Sequence, residues 1–432
     1  MKFFKPFEMP TGAAIPEREV SIVDFGAVPC QLTDQDEVVP GSVKNTEAIK
    51  AAIDAVASQG GGRVVFPAGN WLTGPIHFKS NVEIHLEKGC EVFFSTDKAD
   101  YLPAVFTLYE GMRCYTYSAQ LYAHECHDIA ITGEGTFNGQ GFVWWYWIAV
   151  HREGVDDLYR QAQAGTPVEE RLYVKPEWGI RPGLLHFLDC QNVSIEGCTF
   201  KNSPFWTVHP TWCENIIIRN IKVINPYDHA PNTDGCNFEG CKRGLLDTIW
   251  VDTGDDAVCL KSGRDLDGRT CDRPCQDIII RNLTANRSHG GITVGSEMSG
   301  GVSNIYIENC KFLKNFIGIW IKTAPSRGGY VRDIEYHNIE VAKLWREGIS
   351  FTMGYAGDGY DPKDLPTMPV IENILVDGFK VAGSSVAVDI QGIKGFPMRS
   401  ICLKDVYAKG GVNIQTKHVA NLCMENVNFD IE

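Results

Sequence analysis

Two acidic stretches lie close together in the chain: Asn232-Thr233-Asp234-Gly235 and, further on, Asp252-Thr253-Gly254-Asp255-Asp256. Each alone reads as a turn, because Asn and Asp bend the backbone through their own side chains and Gly accepts positive φ. Together they put Asp234, Asp255 and Asp256 into a span of about one repeat. Three carboxylates sharing one pocket cannot all ionise cheaply, so at least one holds a proton near neutral pH. A protonated carboxyl beside an ionised one is the pairing that glycoside hydrolysis needs. Downstream come His289 in "SHGG" and Lys322 in "WIKT", while Lys261 and Arg264 follow the double Asp in "KSGRD". Cations there would hold an acidic substrate and bias the titration of the acids. The glycine-rich "GSEMSGG" imitates a phosphate loop but lacks its Lys-Ser/Thr ending, so Glu297 within it reads as structural.

Acids this far apart can share a pocket only if something fixes their register, and a repeat supplies it. One eleven-residue phrase begins at Cys190 ("CQNVSIEGCTF") and recurs at 213, 241, 275, 302, 331, 371, 398 and 419, with an earlier relative at 126. The spacings are 23, 28, 34, 27, 29, 40, 27 and 21 residues. Positions four and six are mostly Ile, Val or Leu, two apart, and so point to one face of a strand. Position eight is often Asn or Gly, a bend. Short strands joined by bends at these intervals suit a stack of coils, each burying its apolar face on the next. The expected fold is all-β, a single-stranded right-handed parallel β-helix with an N-terminal capping helix. Neighbouring coils lie about 4.8 Å apart. Asp234 and Asp256, 22 residues apart, then sit side by side, and four consecutive coils each present a polar residue at a similar place. Cysteines 190, 213, 241 and 275 share position one and should form a buried ladder.

Residues 1–20 read as an N-terminal extension and 21–432 as one β-helix domain. "NTEAIKAAIDAVASQGGG" is an amphipathic helix with Asn45 or Thr46 as N-cap and glycines 60–62 as its stop, suited to cover the open end of the stack. Residues 140–182 or so lack the repeat and form an insertion, part helical. Its "WWYW", residues 144–147, reads first as packed core and second as a wall on which a sugar stacks.

A net charge of −14 excludes a general nucleic-acid or anionic-membrane binder. No run approaches the roughly 18 apolar residues of a spanning helix. The opening "MKFFKPFEMPTG" carries no apolar leader of roughly 7–15 residues, which sets an expectation of a cytoplasmic protein, or of a secreted or periplasmic one if a leader has been removed. The 15 cysteines form no paired CxxC, and the histidines lack metal-ligand spacing. Neither a metal nor another cofactor is expected, and oligomeric state is not set. His209 and His229 flank the cleft by sequence.

At these residues the sequence resembles glycoside hydrolase family 28, the polygalacturonases and rhamnogalacturonan hydrolases. The family pattern Asn-Thr-Asp, Asp-Asp, Gly-His-Gly and Arg-Ile-Lys is met by Asn232-Thr233-Asp234, Asp255-Asp256, Ser288-His289-Gly290 and Trp320-Ile321-Lys322. The front also resembles bacterial members in "DFGAV", "NTEAI", "GGGRVVFPAGNWLTGPI" and "ITGEGTFNGQG". The resemblance implies a pectic carbohydrate substrate and hydrolysis with inversion at the anomeric centre. It implies Asp255 as general acid, Asp234 and Asp256 as activators of water, and His289 as tuner of the acid. It also implies Lys322 on a substrate carboxylate and Tyr355 at a subsite wall; Asn232 and Lys261 are further candidates for contact with the substrate, Lys261 as a local basic spot for a uronate or as an ordinary solvated pair partner. The family Arg is Trp320 here, and Trp cannot grip a carboxylate with a planar fork. It offers a face to a sugar ring or a cation. That departure points away from plain polygalacturonate toward galacturonate linked to a neutral sugar such as rhamnose. The insertion, if it blocks one end of the cleft, makes the enzyme act from chain ends. Two other readings stay open: a Ca²⁺-dependent pectate-lyase-type enzyme using the acids as its ion site, and a non-catalytic carbohydrate-binding β-helix.

Overall fold

The computed structural model describes residues 2–355 and 367–430. The phrases at 190 and 213 each become a strand, a bend and a second strand, Gln191–Glu196 with Thr199–Lys201 and Glu214–Arg219 with Lys222–Ile224; from Lys242 on, one long strand runs through the bend. The pair at positions four and six points inward: Ile216 with Ile218, Ile278 with Ile280, Ile305 with Ile307 and Ile374 with Val376 all have 0% exposure. Strands of successive coils pair in parallel, Glu214 facing Lys242 and Lys242 facing Gln276. Parallel crossovers of this kind wind right-handed, so the chain is a right-handed parallel β-helix. The position-eight bend is left-handed at Asn220, Asn282, Asn309 and Asn338. A second bend, unread in the sequence, is left-handed at position three: Asn192, Asn215, Asn304 and Asn373. Asn tolerates this backbone, and its amide can bond locally. These amides link the coils: Asn215 Nδ2 donates to Asn192 Oδ1 at 2.5 Å, and Asn304 Nδ2 to Asp277 Oδ1 at 2.6 Å.

The same register stacks Cys126, Cys190, Cys213, Cys241 and Cys275 in one column. All are free thiols, and all but Cys126 are buried. Cys126, Cys190, Cys213 and Cys241 also donate to backbone carbonyls, as Cys213 Sγ does to Phe187 O at 3.2 Å. Helix α1, Thr46–Ala57, caps the first coils with Ile49, Ala52, Ile53 and Val56 buried. Asn45 precedes it but makes no side-chain cap; its amide ties the Val28 backbone instead.

Two parts differ from expectation. Residues 3–14, expected as a free extension, lie bound along the outside of the stack, Phe4 N donating to Glu335 and Ala14 N to Asp128. Glu19–Ser21 then pairs with the strand Gly62–Phe66, so the boundary at residue 20 falls within a strand. The second difference is an excursion before the insertion. The hairpin Val105–Tyr109 and Met112–Thr116 leaves the stack and pairs with Leu172–Tyr173. The insertion, with α2 (Phe142–Trp145) and α3 (Ile148–Gln163), packs on that hairpin through Val155, Leu158 and Ala162 against Tyr109 and Met112. Trp144 and Trp147 are core, whereas Tyr146 is 62% exposed and Trp145 half-buried. No helix among the described residues is long and apolar enough to cross a membrane.

Candidate active site

One sheet of the stack carries the acids. Strands Cys236–Glu239 and Val258–Lys261 pair with Cys236 facing Val258, so Asp234 and Asp256, each two residues earlier, are neighbours on adjacent coils. Val258 in turn faces Ile292, which brings Gly290 into the same column. Lys322 does not share this place. It pairs with Gly295, and Lys261 pairs with Glu239, so both lysines stand at the far end of the strands and reach back over the sheet. The expectation of four polar residues at one similar place is therefore corrected: the acids rise at one end of the strands and the cations at the other. Strand alternation points Asn237, Cys259, Thr293 and Trp320 outward along one row between them.

Asp256 is buried, and three groups hold it. Gly290 N donates to Oδ1 at 2.7 Å, Lys322 Nζ reaches Oδ2 at 2.8 Å, and Cys259 Sγ lies at 3.5 Å. Burial pushes its carboxyl upward, but the Lys322 and Lys261 ammonium groups win and hold it below the ordinary range. Gly290 is needed here: a Cβ would stand 2.1 Å from Thr293 Oγ1 and 2.8 Å from Asp256 Oδ1. Asp234, also buried, receives Asn237 Nδ2 at 3.2 Å and Cys259 Sγ at 3.4 Å, with Lys261 only at 3.8 Å. Burial first, and the Asp255 charge second, raise it to about 7. The cluster thus holds a proton beside an ionised carboxylate.

Asp255 is the more open of the three. Asn232 Nδ2 donates to it at 3.4 Å, and His289 Nδ1 lies 3.3 Å away. The Asp255 bond raises the His289 imidazole's pKa. Asn232 is itself fixed by Arg181, a buried residue at the end of the insertion, whose Nη2 donates to Asn232 Oδ1 at 2.6 Å.

A cavity of about 670 Å³ opens over the acids. Lys261, Lys322 and Tyr355 line it. Lys261, however, gives its ammonium to Glu297 at 2.8 Å and lies 4.5 Å from the Trp206 ring, so it acts from below. Trp320 does not line the cavity. Its ring lies under Lys322 Nζ at 4.1 Å and edge-on to Tyr355, so it meets a cation rather than a sugar. Two other guanidinium groups, those of Arg264 and Arg327, line the cavity. Arg327 is anchored by Asp265 at 2.6 Å and Ser296 O at 3.0 Å, Arg264 by Glu110 at 3.2 Å. Arg264 follows the double Asp in the sequence, but Arg327 lies in a loop after the last motif. Nothing in residue type marks it out.

The remaining wall is helix α3. Its Ile148, His151, Arg152 and Val155 line the same cavity. His151 Nε2 meets Glu110 Oε1 at 2.8 Å, and the other oxygen of Glu110 takes Arg264, so one carboxylate ties the overhanging helix to the floor. Of the two open histidines, His209 is buried against Glu239 at 2.8 Å and held neutral by burial. His229 lines a second, adjoining lobe.

Asp234, Asp256 and the Cys259 thiol could in principle hold a metal. The donor set fits poorly, because Lys322 Nζ lies 2.8 Å from Asp256 and Lys261 Nζ 3.8 Å from Asp234. Two ammonium groups stand where a cation would sit.

A family model described as Glycosyl hydrolases family 28 matches residues 175–427. A probable polygalacturonase of Vitis vinifera is 29% identical over 90% of this chain and 77% of its own length. A hyperthermoactive exopolygalacturonase from Thermotoga maritima superposes with a TM-score of 0.91, at 35% identity over 98% of this chain and 94% of that one. A family 28 exopolygalacturonase of Yersinia enterocolitica, 19% identical over 96% of this chain and 78% of that one, shares the fold at a TM-score of 0.77.

Proposed function

The chain belongs to glycosyl hydrolase family 28, and from that premise we propose that it hydrolyses galacturonate-containing pectic poly- or oligosaccharides from a chain end, with inversion. The observation that carries this reading is one cavity holding three carboxylates in two protonation states, ringed by Lys322, Arg264 and Arg327 and overhung by α3. The cations suit a uronate carboxylate, because charge-assisted bonds to guanidinium and ammonium are the strong ones. Asp255, the most accessible acid, gives its proton to the glycosidic oxygen. Asp256, ionised, takes the proton of the attacking water, with Asp234 beside it. The cluster titrates as a unit, and the proton that Asp234 keeps at rest is available to it. Inversion needs acid and base roughly 6.5–9.5 Å apart, with a water between. The Asp255 carboxylate bonds Asn232 and His289, whereas Asp256 bonds Gly290 N and Lys322 and Asp234 bonds Asn237, and these separate partner sets support such a separation. Chain-end action rests on α3 and on likeness to the Thermotoga maritima exopolygalacturonase.

Proton NMR of a digestion of α-linked oligogalacturonate tests both points. The β anomer appears first, as mono- or disaccharide, while viscosity of the polymer falls slowly. The α anomer first overturns inversion, and early long fragments overturn chain-end action. Asp255→Asn keeps binding and loses turnover by roughly 10²–10⁴-fold. The calcium-lyase reading predicts instead loss of activity with EDTA and products that absorb in the ultraviolet.

A further inference from the structure

Beside the charged cavity lies a second lobe of about 570 Å³. Ile148, Asn232 and Asp255 line both. The second lobe is otherwise a different material: Trp145 and Tyr146 of the insertion face Tyr227 and His229 of the loop before Asn232. No Lys or Arg lines it among the described residues; its ionisable lining groups are Asp228, His229 and the pair Asp255 and His289, whose Nδ1 lies 3.3 Å from the Asp255 carboxyl. The nearest cations serve elsewhere. Arg287 lies 5.7 Å from the Tyr227 ring but is held by Asp252 at 2.8 and 2.9 Å. Lys98 sits by the Trp144, Tyr146 and Trp147 rings and is not part of the lining. The platform is rigid, because Trp145 Nε1 donates to Ser203 O at 2.8 Å.

The acids say which part of the substrate enters which lobe. Asp234 and Asp256 line only the charged cavity, whereas Asp255 borders both. The water attacks on the side of the base and the leaving group departs on the side of the acid. The sugar that is attacked therefore lies in the charged cavity, and the departing one on the Asp255 side. We propose that the aromatic lobe is the leaving-group subsite and that it takes an uncharged pyranose, stacked on Tyr146 and Tyr227. This rests on the hydrolase reading above. A free carboxylate there would meet Asp228 and no uncommitted cation, since His289 is paired with Asp255, so a charged leaving sugar is disfavoured by like-charge contact. An uncharged ring can be a neutral sugar or a uronate whose carboxyl is methyl-esterified.

Three disaccharides with an α-linked galacturonate at the attacked end decide it: one with free galacturonate leaving, one with its methyl ester, one with rhamnose. The proposal expects kcat/KM at least tenfold higher for one or both uncharged leaving groups, and whichever is faster names the source. Equal or faster cleavage of free digalacturonate overturns it. No cleavage of any of the three removes the hydrolase reading itself, and the proposal with it. Tyr146→Ala should then raise KM for the faster substrate about tenfold with little change in kcat, the size of one lost ring contact. Tyr146→Phe should restore it. An unchanged KM in Tyr146→Ala overturns the stacking assignment.

Discussion

Asp256 and Lys322 stand at the ends of strands that recur coil after coil, whereas His151 and Arg152 hang over them from α3, a helix with no counterpart among the described residues. The two regions are held differently. On the floor, positions come from register: one residue's place fixes the next coil's, because every backbone bond of the ladder must be made. In the roof, positions come from a few side-chain ties, chiefly Glu110 between His151 and Arg264. The chemistry needs sub-ångström constancy and sits on the floor. On the function proposed above, choice of where along a polymer to cut needs only a wall, and the roof supplies one.

Disturbing the floor should cost most. Lys322→Met leaves Asp256 buried without its ammonium partner, and kcat/KM should fall by about 10²–10³. The same change should move the acid limb of the pH profile upward, since Lys322 is the chief group holding Asp256 low against burial. A profile of the same shape would show that Lys322 acts only on substrate.

The alkaline limb belongs to Asp234. With its carboxyl raised to about 7, chiefly by burial, kcat/KM should fall as pH rises through that value. Stability carries the same sign. The folded pKa lies above the unfolded one, so Asp234's contribution is complete below the ordinary carboxylate range and is lost as pH rises through about 7. Asp256, shifted down, contributes in the opposite sense and loses its part only as pH falls through its lowered value. Asp234→Asn should therefore raise Tm more at pH 8 than at pH 5. Equal shifts at both pH values would mean that Asp234 is ionised throughout.

The roof should yield a smaller effect of a different kind. Glu110→Gln keeps the shape of the tie but removes its charge from both His151 and Arg264. Charge-assisted bonds are roughly twice as strong as neutral ones. The ratio of terminal products to internal fragments should fall by roughly threefold to tenfold, with the anomer first released unchanged. A collapse of turnover instead would mean that Glu110 serves the reaction and not the wall.

This contrast also explains what could be read from sequence. The phrase beginning at Cys190 announces its strands because burial repeats at fixed positions, and the Asp234–Asp256 pairing follows from one coil length. Lys322 was legible as a residue but not in its place, since register along the coil depends on loop lengths that residue types do not give. Arg327, Arg264 and Glu110 meet at the cavity from three unrelated loops, without period, so only folding reveals them. Tyr146 and Trp147 are adjacent aromatics with opposite fates, 62% and 2% exposed, and composition cannot separate them.

Two thiols give the finest test of floor against scaffold. Cys213 and Cys259 are both buried, and both lie near the same sheet. Cys213 sits in the ladder, donating to Phe187 O and Thr211 O. Cys259 sits between Asp234 and Asp256, at 3.4 and 3.5 Å from them. Cys213→Ala removes a sulfur from a packed column and should cost about 1–2 kcal/mol of stability through the small void left. Its neighbours Cys190 and Cys241 keep the coil spacing, so kcat/KM should stay within about twofold. Cys259→Ala removes the same atom, but from the gap between the acids. Thermal unfolding would register a similar loss, while the pH profile should move with it, because both carboxylates lose their shared donor. If Cys213→Ala shifts the profile as well, strain passes from the ladder to the acids and the scaffold is not separable from the site.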